Sequence, residues 1–83
     1  MNLHCLPLTF TVAKPQTLDT MEAVFATARR GGCQLKALQL RSRTHDDVVS
    51  LELQAPDPDL LALFLARLRN LVDVEEITRM YVA

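Results

Sequence analysis

The stretch VAKPQTLD, residues 12–19, separates two kinds of hydrophobic pattern. Before it, apolar residues alternate with polar ones as in a β-strand, and after it they recur every three or four residues as in a helix. Pro15 has no N–H and a fixed φ, so it ends the strand, and Thr17 is predicted to cap the helix. Asp19 places a negative charge near the positive end of the helix dipole. The stretch therefore predicts a strand-to-helix corner, which is either a plain capped loop or a place where free N–H groups bind a carboxylate.

The segment before this corner is predicted to be the first strand. It covers Leu3–Val12, and because Pro7 has no N–H to donate, regular pairing is expected from about Leu8. The residues predicted to face the core are Leu8, Phe10 and Val12.

The segment after the corner, Leu18–Arg30, is predicted to be an amphipathic helix. Its predicted core stripe consists of Leu18, Met21, Val24, Phe25 and Ala28. Gly31 is the expected C-cap, and Gly32 gives the chain freedom to reverse direction.

Three further strands and a second helix follow. Cys33–Ser42 is predicted to be a strand whose apolar phase changes at Lys36–Ala37, which indicates a bulge. After a polar turn, Thr44–Asp47, the strand Val48–Ala55 alternates strictly, with its inward side chains at Val49, Leu51 and Leu53.

The second helix has the clearest start signal in the chain. Asp57 is the predicted N-cap, with Pro58 at the first helical position, and the helix is expected to continue to about Asn70. Its predicted core stripe is Leu61, Phe64 or Leu65, and Leu68. A last strand, Val72–Val82, changes phase across Glu75–Glu76. The order β-α-β-β-α-β predicts an α+β, ferredoxin-like sandwich: a four-stranded antiparallel sheet with both helices on one face.

Composition limits the functions that fit this fold. The chain has 83 residues, a formal net charge of -1 and 49% apolar residues, so a single domain over residues 1–83 is expected, with no attraction to nucleic acid. No signal peptide or membrane span is predicted, and two cysteines make no disulfide framework. The expected location is the cytoplasm.

No residue pattern indicates catalysis or a metal site. His4 and His45 are far apart in sequence and are predicted to lie on the surface. An RNA-recognition module would need aromatic residues on its central strands, and a metal carrier of this fold would need two cysteines in the first loop. Since neither is present, the residues favour a small-molecule-sensing or subunit-binding module.

The whole chain resembles an ACT domain, and more closely the small regulatory subunit of acetolactate synthase (acetohydroxyacid synthase), isozyme II type. The residues that carry this resemblance are Pro15-x-Thr17-Leu18, Arg30-Gly31-Gly32, Leu35–Leu40 and Leu68-x-x-Leu71-Val72-Asp73-Val74. The resemblance implies a non-catalytic chain that activates the large catalytic subunit, which would carry thiamine diphosphate, Mg2+ and FAD. The alternative is a free-standing ACT sensor that binds a small amino acid at a dimer interface.

The resemblance also implies where ligands and subunits bind. ACT domains pair through sheet edges into an eight-stranded sheet, and a homodimer is expected. An effector such as a branched-chain amino acid would contact Lys14, Pro15, Gln16, Thr17, Leu18 and Gly32. The loop usually carries Pro-Gly, but Gln16 follows Pro15 here, so weak or absent amino-acid feedback is expected. The interface would use Cys33, Leu35, Leu38, Leu40, Leu60 and Leu63.

Overall fold

The computed structural model describes residues 3–80. The elements are β1 (His4–Ala13), α1 (Thr17–Arg30), β2 (Gln34–Ser42), β3 (Asp46–Ala55), α2 (Pro58–Leu68) and β4 (Val74–Arg79). The four strands form one antiparallel sheet in the order β2-β3-β1-β4. Both helices cover the same face and share one hydrophobic core with it. The predicted ferredoxin-like sandwich is therefore confirmed.

Pairing of β1 begins earlier than the sequence indicates. His4 already lies opposite Ala55 of β3, so the expected start near Leu8 is wrong for this side of the strand. On the other side, pairing with β4 does extend only to Leu8. The carbonyl of Pro7 accepts a bond from the N–H of Met80, and a residue's N and C=O point to the same side of a strand. The position where Pro7 lacks an N–H therefore faces the end of β4, and the hydrogen bonds between β1 and β3 are not interrupted.

The start of α1 also differs from the prediction. The N-cap is Gln16, which makes no side-chain cap bond, and Thr17 is the first helical residue. The predicted Thr17 cap is wrong because its hydroxyl donates to Asp47 instead. Leu18 and Phe25 were expected in the core, but they are 81% and 39% exposed. The buried stripe is rotated towards Thr20, Met21, Val24, Thr27 and Ala28.

Both phase changes in the sequence correspond to irregular pairing. The β2–β3 register shifts between Leu35 and Ala37, which confirms the predicted bulge. The β1–β4 register shifts across Glu76, whose φ is 53°, so the irregularity predicted at Glu75–Glu76 is also present. These bulges set which side chains of the two edge strands face the helices.

Other element boundaries move by one to three residues. Helix α2 starts as predicted, because the carboxylate of Asp57 accepts from the N–H of Asp59, but it ends at Leu68 rather than Asn70. Strand β4 begins at Val74 rather than Val72, and the predicted continuation to Val82 lies outside the described residues. Within residues 3–80, neither helix has the length and apolar character needed to cross a membrane.

Candidate functional site

The corner between β1 and α1 is held by a network centred on Asp47. The hydroxyl of Thr17 donates to Oδ2 of Asp47 at 2.5 Å. The ammonium group of Lys14 lies 3.5 Å from Oδ1 of the same carboxylate, donates to the Arg43 carbonyl at 2.6 Å and also contacts the Ser42 hydroxyl. The corner is therefore joined to the adjacent ends of β2 and β3.

Asp47 is the residue of this corner that sequence reasoning missed. It was placed in a polar turn, but it lies in β3 and its side chain is only 8% exposed. The available signal was its parity, since Asp47 shares the alternation of Val49, Leu51 and Leu53. The Thr17 hydrogen bond is the main cause that lowers the pKa of Asp47, and the Lys14 charge adds to it. The carboxylate is therefore ionised at neutral pH.

The first turn of α1 leaves backbone donors unused. Among the described residues, no acceptor receives the N–H groups of Thr17, Leu18 and Asp19, whereas the N–H of Gln16 donates to Ala13 at 3.0 Å. Free N–H groups at a helix start favour an anionic ligand. Leu18 is almost fully exposed beside them. This part of the predicted effector set therefore offers a donor group and an apolar side chain to solvent.

The structure does not bring all six predicted effector residues together within one chain. Lys14, Pro15, Gln16, Thr17 and Leu18 lie at the start of α1, whereas Gly32 follows its end. With 14 residues, α1 is about 21 Å long. A single site containing Gly32 would therefore need a second copy of the chain.

The edge strand β2 carries an apolar row that the helices leave uncovered. Leu35, Leu38 and Leu40 lie opposite Leu53, Leu51 and Val49, which face the core. Directly paired residues point to the same side of a sheet, so the three leucines of β2 also face the helix layer. They remain 47%, 44% and 44% exposed. We call Leu35, Leu38 and Leu40 the β2 apolar row.

An apolar groove of about 510 Å³ continues this row towards α1. Phe25 and Glu22 of α1 line one wall, and Leu35 lines the other. Cys33 lies at its floor, where its thiol contacts the Leu60 carbonyl at 3.7 Å and burial raises its pKa. Leu60 itself is half-buried, while Leu63 is 45% exposed.

The opposite face of the sheet is largely polar. Thr9, Gln39 and Ser50 lie on it, and Lys36 forms an ion pair with Glu52 at 3.0 Å. Hydrogen bonding to Glu52 raises the pKa of Lys36. This face also has a groove of about 530 Å³ that is lined in part by Pro7, Ala37 and Met80.

Within residues 3–80, no group of three His, Cys, Asp or Glu side chains is placed to bind a metal ion. His4 and His45 are both exposed and lie at opposite ends of the sheet, beside Ala55 and Asp46 respectively.

Sequence comparison finds no matching family profile, and no curated protein matches the chain. Solved structures do match it. The ACT domain of a GTP pyrophosphokinase from Chlorobium tepidum is 10% identical, with a TM-score of 0.75 over 95% of this chain and 100% of that one. A homoserine dehydrogenase from Thiobacillus denitrificans is also 10% identical, with a TM-score of 0.75 over 95% of this chain and 17% of that one. The de novo designed protein Foldit4 is 11% identical, with a TM-score of 0.71 over 99% of this chain and 100% of that one.

At these identities the likeness establishes the fold. The chain has the ferredoxin-like βαββαβ fold that the ACT domain of the pyrophosphokinase also has. A designed protein shares it, which illustrates that function must be argued from sites and surfaces rather than from the fold.

Proposed function

We propose that this protein is a non-catalytic regulatory subunit of acetolactate synthase. It would bind and activate the thiamine-diphosphate-dependent large subunit in valine, leucine and isoleucine biosynthesis in the cytoplasm. The large subunit would hold thiamine diphosphate, Mg2+ and FAD. The sequence resemblance supports the choice of partner, and the structural observation that supports assembly of this chain into an oligomer is the β2 apolar row.

The β2 apolar row favours a homodimer built at the β2 edge. Among the strands of residues 3–80, β2 pairs with β3 only, so its other side presents unpaired backbone groups. A two-fold axis beside the open edge of β2 would pair the strand with its copy and extend the sheet to eight strands. The partner's helix layer would then cover Leu35, Leu38 and Leu40, together with the groove beside Phe25.

The same two-fold pairing would complete the predicted effector site. Antiparallel copies place the start of one β2 beside the end of the other. Ser42, at the end of β2, contacts Lys14, so Gly32 of the second copy would approach the corner of the first. All six predicted effector residues would then meet between two chains.

A second candidate is a free-standing amino-acid sensor. The unused N–H groups of Thr17 and Leu18 favour it, because they can bind the carboxylate of an amino acid. This sensor would use the same dimer but would have no enzyme partner. Co-purification separates the two candidates.

The deciding experiment is co-expression with an acetolactate synthase large subunit, followed by an activity assay with and without this chain. We expect a stable complex and a higher turnover. Leu38→Glu with Leu40→Glu should convert the free chain to a monomer in sedimentation. Val72→Glu is the matched control, since Val72 is 90% exposed and lies away from β2.

Absence of both complex and activation would reject the acetolactate synthase proposal. A wild-type chain that sediments as a monomer at micromolar concentration would reject the β2-edge dimer. If the chain forms a dimer that binds branched-chain amino acids but does not bind the large subunit, the amino-acid sensor is the correct proposal.

A further inference from the structure

A groove of about 600 Å³ lies between α2 and the β1–β4 edge of the sheet. We call it the α2–β4 groove. It lies at the β4 edge of the sheet, whereas the β2 apolar row lies at the other edge, since β2 and β4 are the two edge strands. Its main lining residues are Leu6, Asp59, Leu61, Leu65, Arg69 and Arg79.

The position of Arg79 makes this groove unusual. Val74 and Arg79 lie opposite Val12 and Leu8 of β1, whose side chains are in the core. Arg79 therefore occupies a helix-facing position of β4, where Val74 is buried at the other end of the strand. Near Val74, apolar contacts fill the space between α2 and β4. Near Arg79 this space is an open groove, and the guanidinium group of Arg79 forms part of its wall.

The second arginine comes from α2. Leu61, Leu65 and Arg69 are spaced four residues apart, so they lie along one stripe of the helix. Leu61 and Leu65 are buried, and Arg69 caps the helix C-terminus. The stripe and Arg79 line the same groove, which places two cationic side chains around one apolar surface.

Neither guanidinium group is paired with a carboxylate of residues 3–80. The ion pairs found among residues 3–80 are Lys14–Asp47, Lys36–Glu52 and Arg43–Asp46, and none includes Arg69 or Arg79. The groove also contains one carboxylate, Asp59, and an imidazole, His4. The two guanidinium groups outnumber the single carboxylate, so an anion is favoured over a cation.

The floor supplies the apolar part of the site. Leu6, Leu61 and Leu65 are 2%, 6% and 8% exposed, and they are packed into the core from β1 and α2. A groove of this volume falls within the range of about 300–1,000 Å³ usual for small-molecule sites. Arginine binds carboxylates through two parallel N–H groups, and the floor accommodates an aliphatic chain.

We infer that the α2–β4 groove binds a small organic acid, with its carboxylate at Arg69 and Arg79 and its aliphatic chain on the leucine floor. This site is separate from the corner at Lys14 and from the β2 edge. It does not depend on the proposed partner or on the dimer.

Hexanoate is the probe for this site, titrated into ¹⁵N-labelled full-length protein by NMR. We expect saturable shifts of amide signals in α2, β4 and the start of β1. Hexylamine, with the same chain and the opposite charge, should not bind, and acetate should bind at least tenfold more weakly than hexanoate. Arg69→Gln and Arg79→Gln should each weaken hexanoate binding at least tenfold. Arg41→Gln is the matched control, because Arg41 is exposed on β2, and it should leave the affinity unchanged.

Three results would overturn the inference: non-saturable shifts, shifts confined to α1 and β2, or unchanged affinity in the double variant Arg69→Gln/Arg79→Gln. Binding of hexylamine as tight as that of hexanoate would also reject it. The dispersed amide spectrum of each variant shows whether it is folded, so a folded variant that still binds counts against the site. Loss of acetolactate synthase binding would not affect this result, because the titration uses the chain alone.

Discussion

Oγ1 of Thr17 donates a 2.5 Å hydrogen bond to Oδ2 of Asp47, which joins the first residue of α1 to the start of β3. The carboxylate is buried, and its Oδ1 has no hydrogen-bond partner among the described residues, although the Lys14 ammonium lies 3.5 Å away. Strand β3 pairs with both β1 and β2. This contact therefore fixes where α1 leaves the sheet.

Thr17→Val and Asp47→Asn should each lower the urea midpoint of unfolding, and the double variant should lose less than the sum. The reason is that Thr17→Val removes the hydrogen bond and Asp47→Asn removes the charge that strengthens it, so both changes act on the same interaction. Thr44→Val, in the exposed β2–β3 loop, should leave the midpoint nearly unchanged. Strictly additive effects of Thr17→Val and Asp47→Asn would show that the contact does not contribute to stability.

The stability contributed by Asp47 should depend on pH. Its pKa in the folded chain is lowered, chiefly by the Thr17 bond. A lowered folded-state pKa gives stability that is present above the unfolded pKa, about 3.9, and is lost as the pH falls through the folded value. The midpoint difference between wild type and Asp47→Asn should therefore be constant from pH 6 to 8 and shrink below about pH 4. An increase on acidification would contradict this assignment.

The sequence predicts the fold well because several independent signals agree. Alternation in β3, the Asp57-Pro58 helix start and the two phase changes each depend on short-range geometry, which a local pattern can encode. The structure confirms the Asp57 cap and the bulges near Lys36 and Glu76.

The predictions that fail depend on contacts between distant residues. Threonine is a favoured residue at an N-cap, but the Thr17 hydroxyl donates its hydrogen bond to Asp47, which is 30 residues away in sequence. Leu18 and Phe25 fit a helical stripe, yet they are exposed, and Thr20 and Thr27 are buried instead. The α2–β4 groove was not predicted at all, since its lining comes from β1, α2 and β4, which are distant in sequence.

Two phenylalanines should respond very differently to truncation. Phe64 is 2% exposed and belongs to the core, whereas Phe25 lies at the surface of α1. Phe64→Ala should reduce the free energy of unfolding by about 3–5 kcal/mol through lost burial and a residual cavity. Phe25→Ala should have a much smaller effect on a monomer, and in a β2-edge dimer it should also weaken association. Denaturation at two protein concentrations measures both, and equal effects at Phe25 and Phe64 would contradict the core assignment.

Glu76→Gly should increase stability. Glu76 has φ at 53°, a left-handed conformation that is unfavourable by roughly 1–2 kcal/mol for residues with a Cβ. Glycine removes this strain but gains entropy in the unfolded chain, so a net gain of up to about 1 kcal/mol is expected. Glu75→Gly is the control, because Glu75 pairs regularly with Thr11, and it should lower stability by about 0.5–1 kcal/mol. Thermal unfolding measures both, and a loss in Glu76→Gly as large as that in Glu75→Gly would contradict the strain argument.

Gln16 should limit amino-acid binding at the β1–α1 corner. The φ of Gln16 is −81°, which any residue adopts, so the backbone does not require glycine here. Only the side chain of Gln16 would obstruct the approach of an amino acid. Gln16 directly precedes Thr17 and Leu18, whose N–H groups have no acceptor among the described residues. Valine, leucine and isoleucine should therefore bind the wild-type chain weakly or not at all.

Gln16→Gly should improve this binding by on the order of 1–3 kcal/mol if a charge-assisted hydrogen bond to the ligand carboxylate forms. Gln16→Ala is the matched control. Alanine keeps the Cβ but lacks the amide group of Gln16. Gln16→Ala should therefore bind the amino acid little better than wild type if the Cβ blocks the ligand, and nearly as well as Gln16→Gly if the amide group does. Calorimetry on the three forms measures the difference. Tight binding of branched-chain amino acids by the unmutated chain would refute the obstruction, and it would favour the free-standing sensor over a subunit without amino-acid feedback.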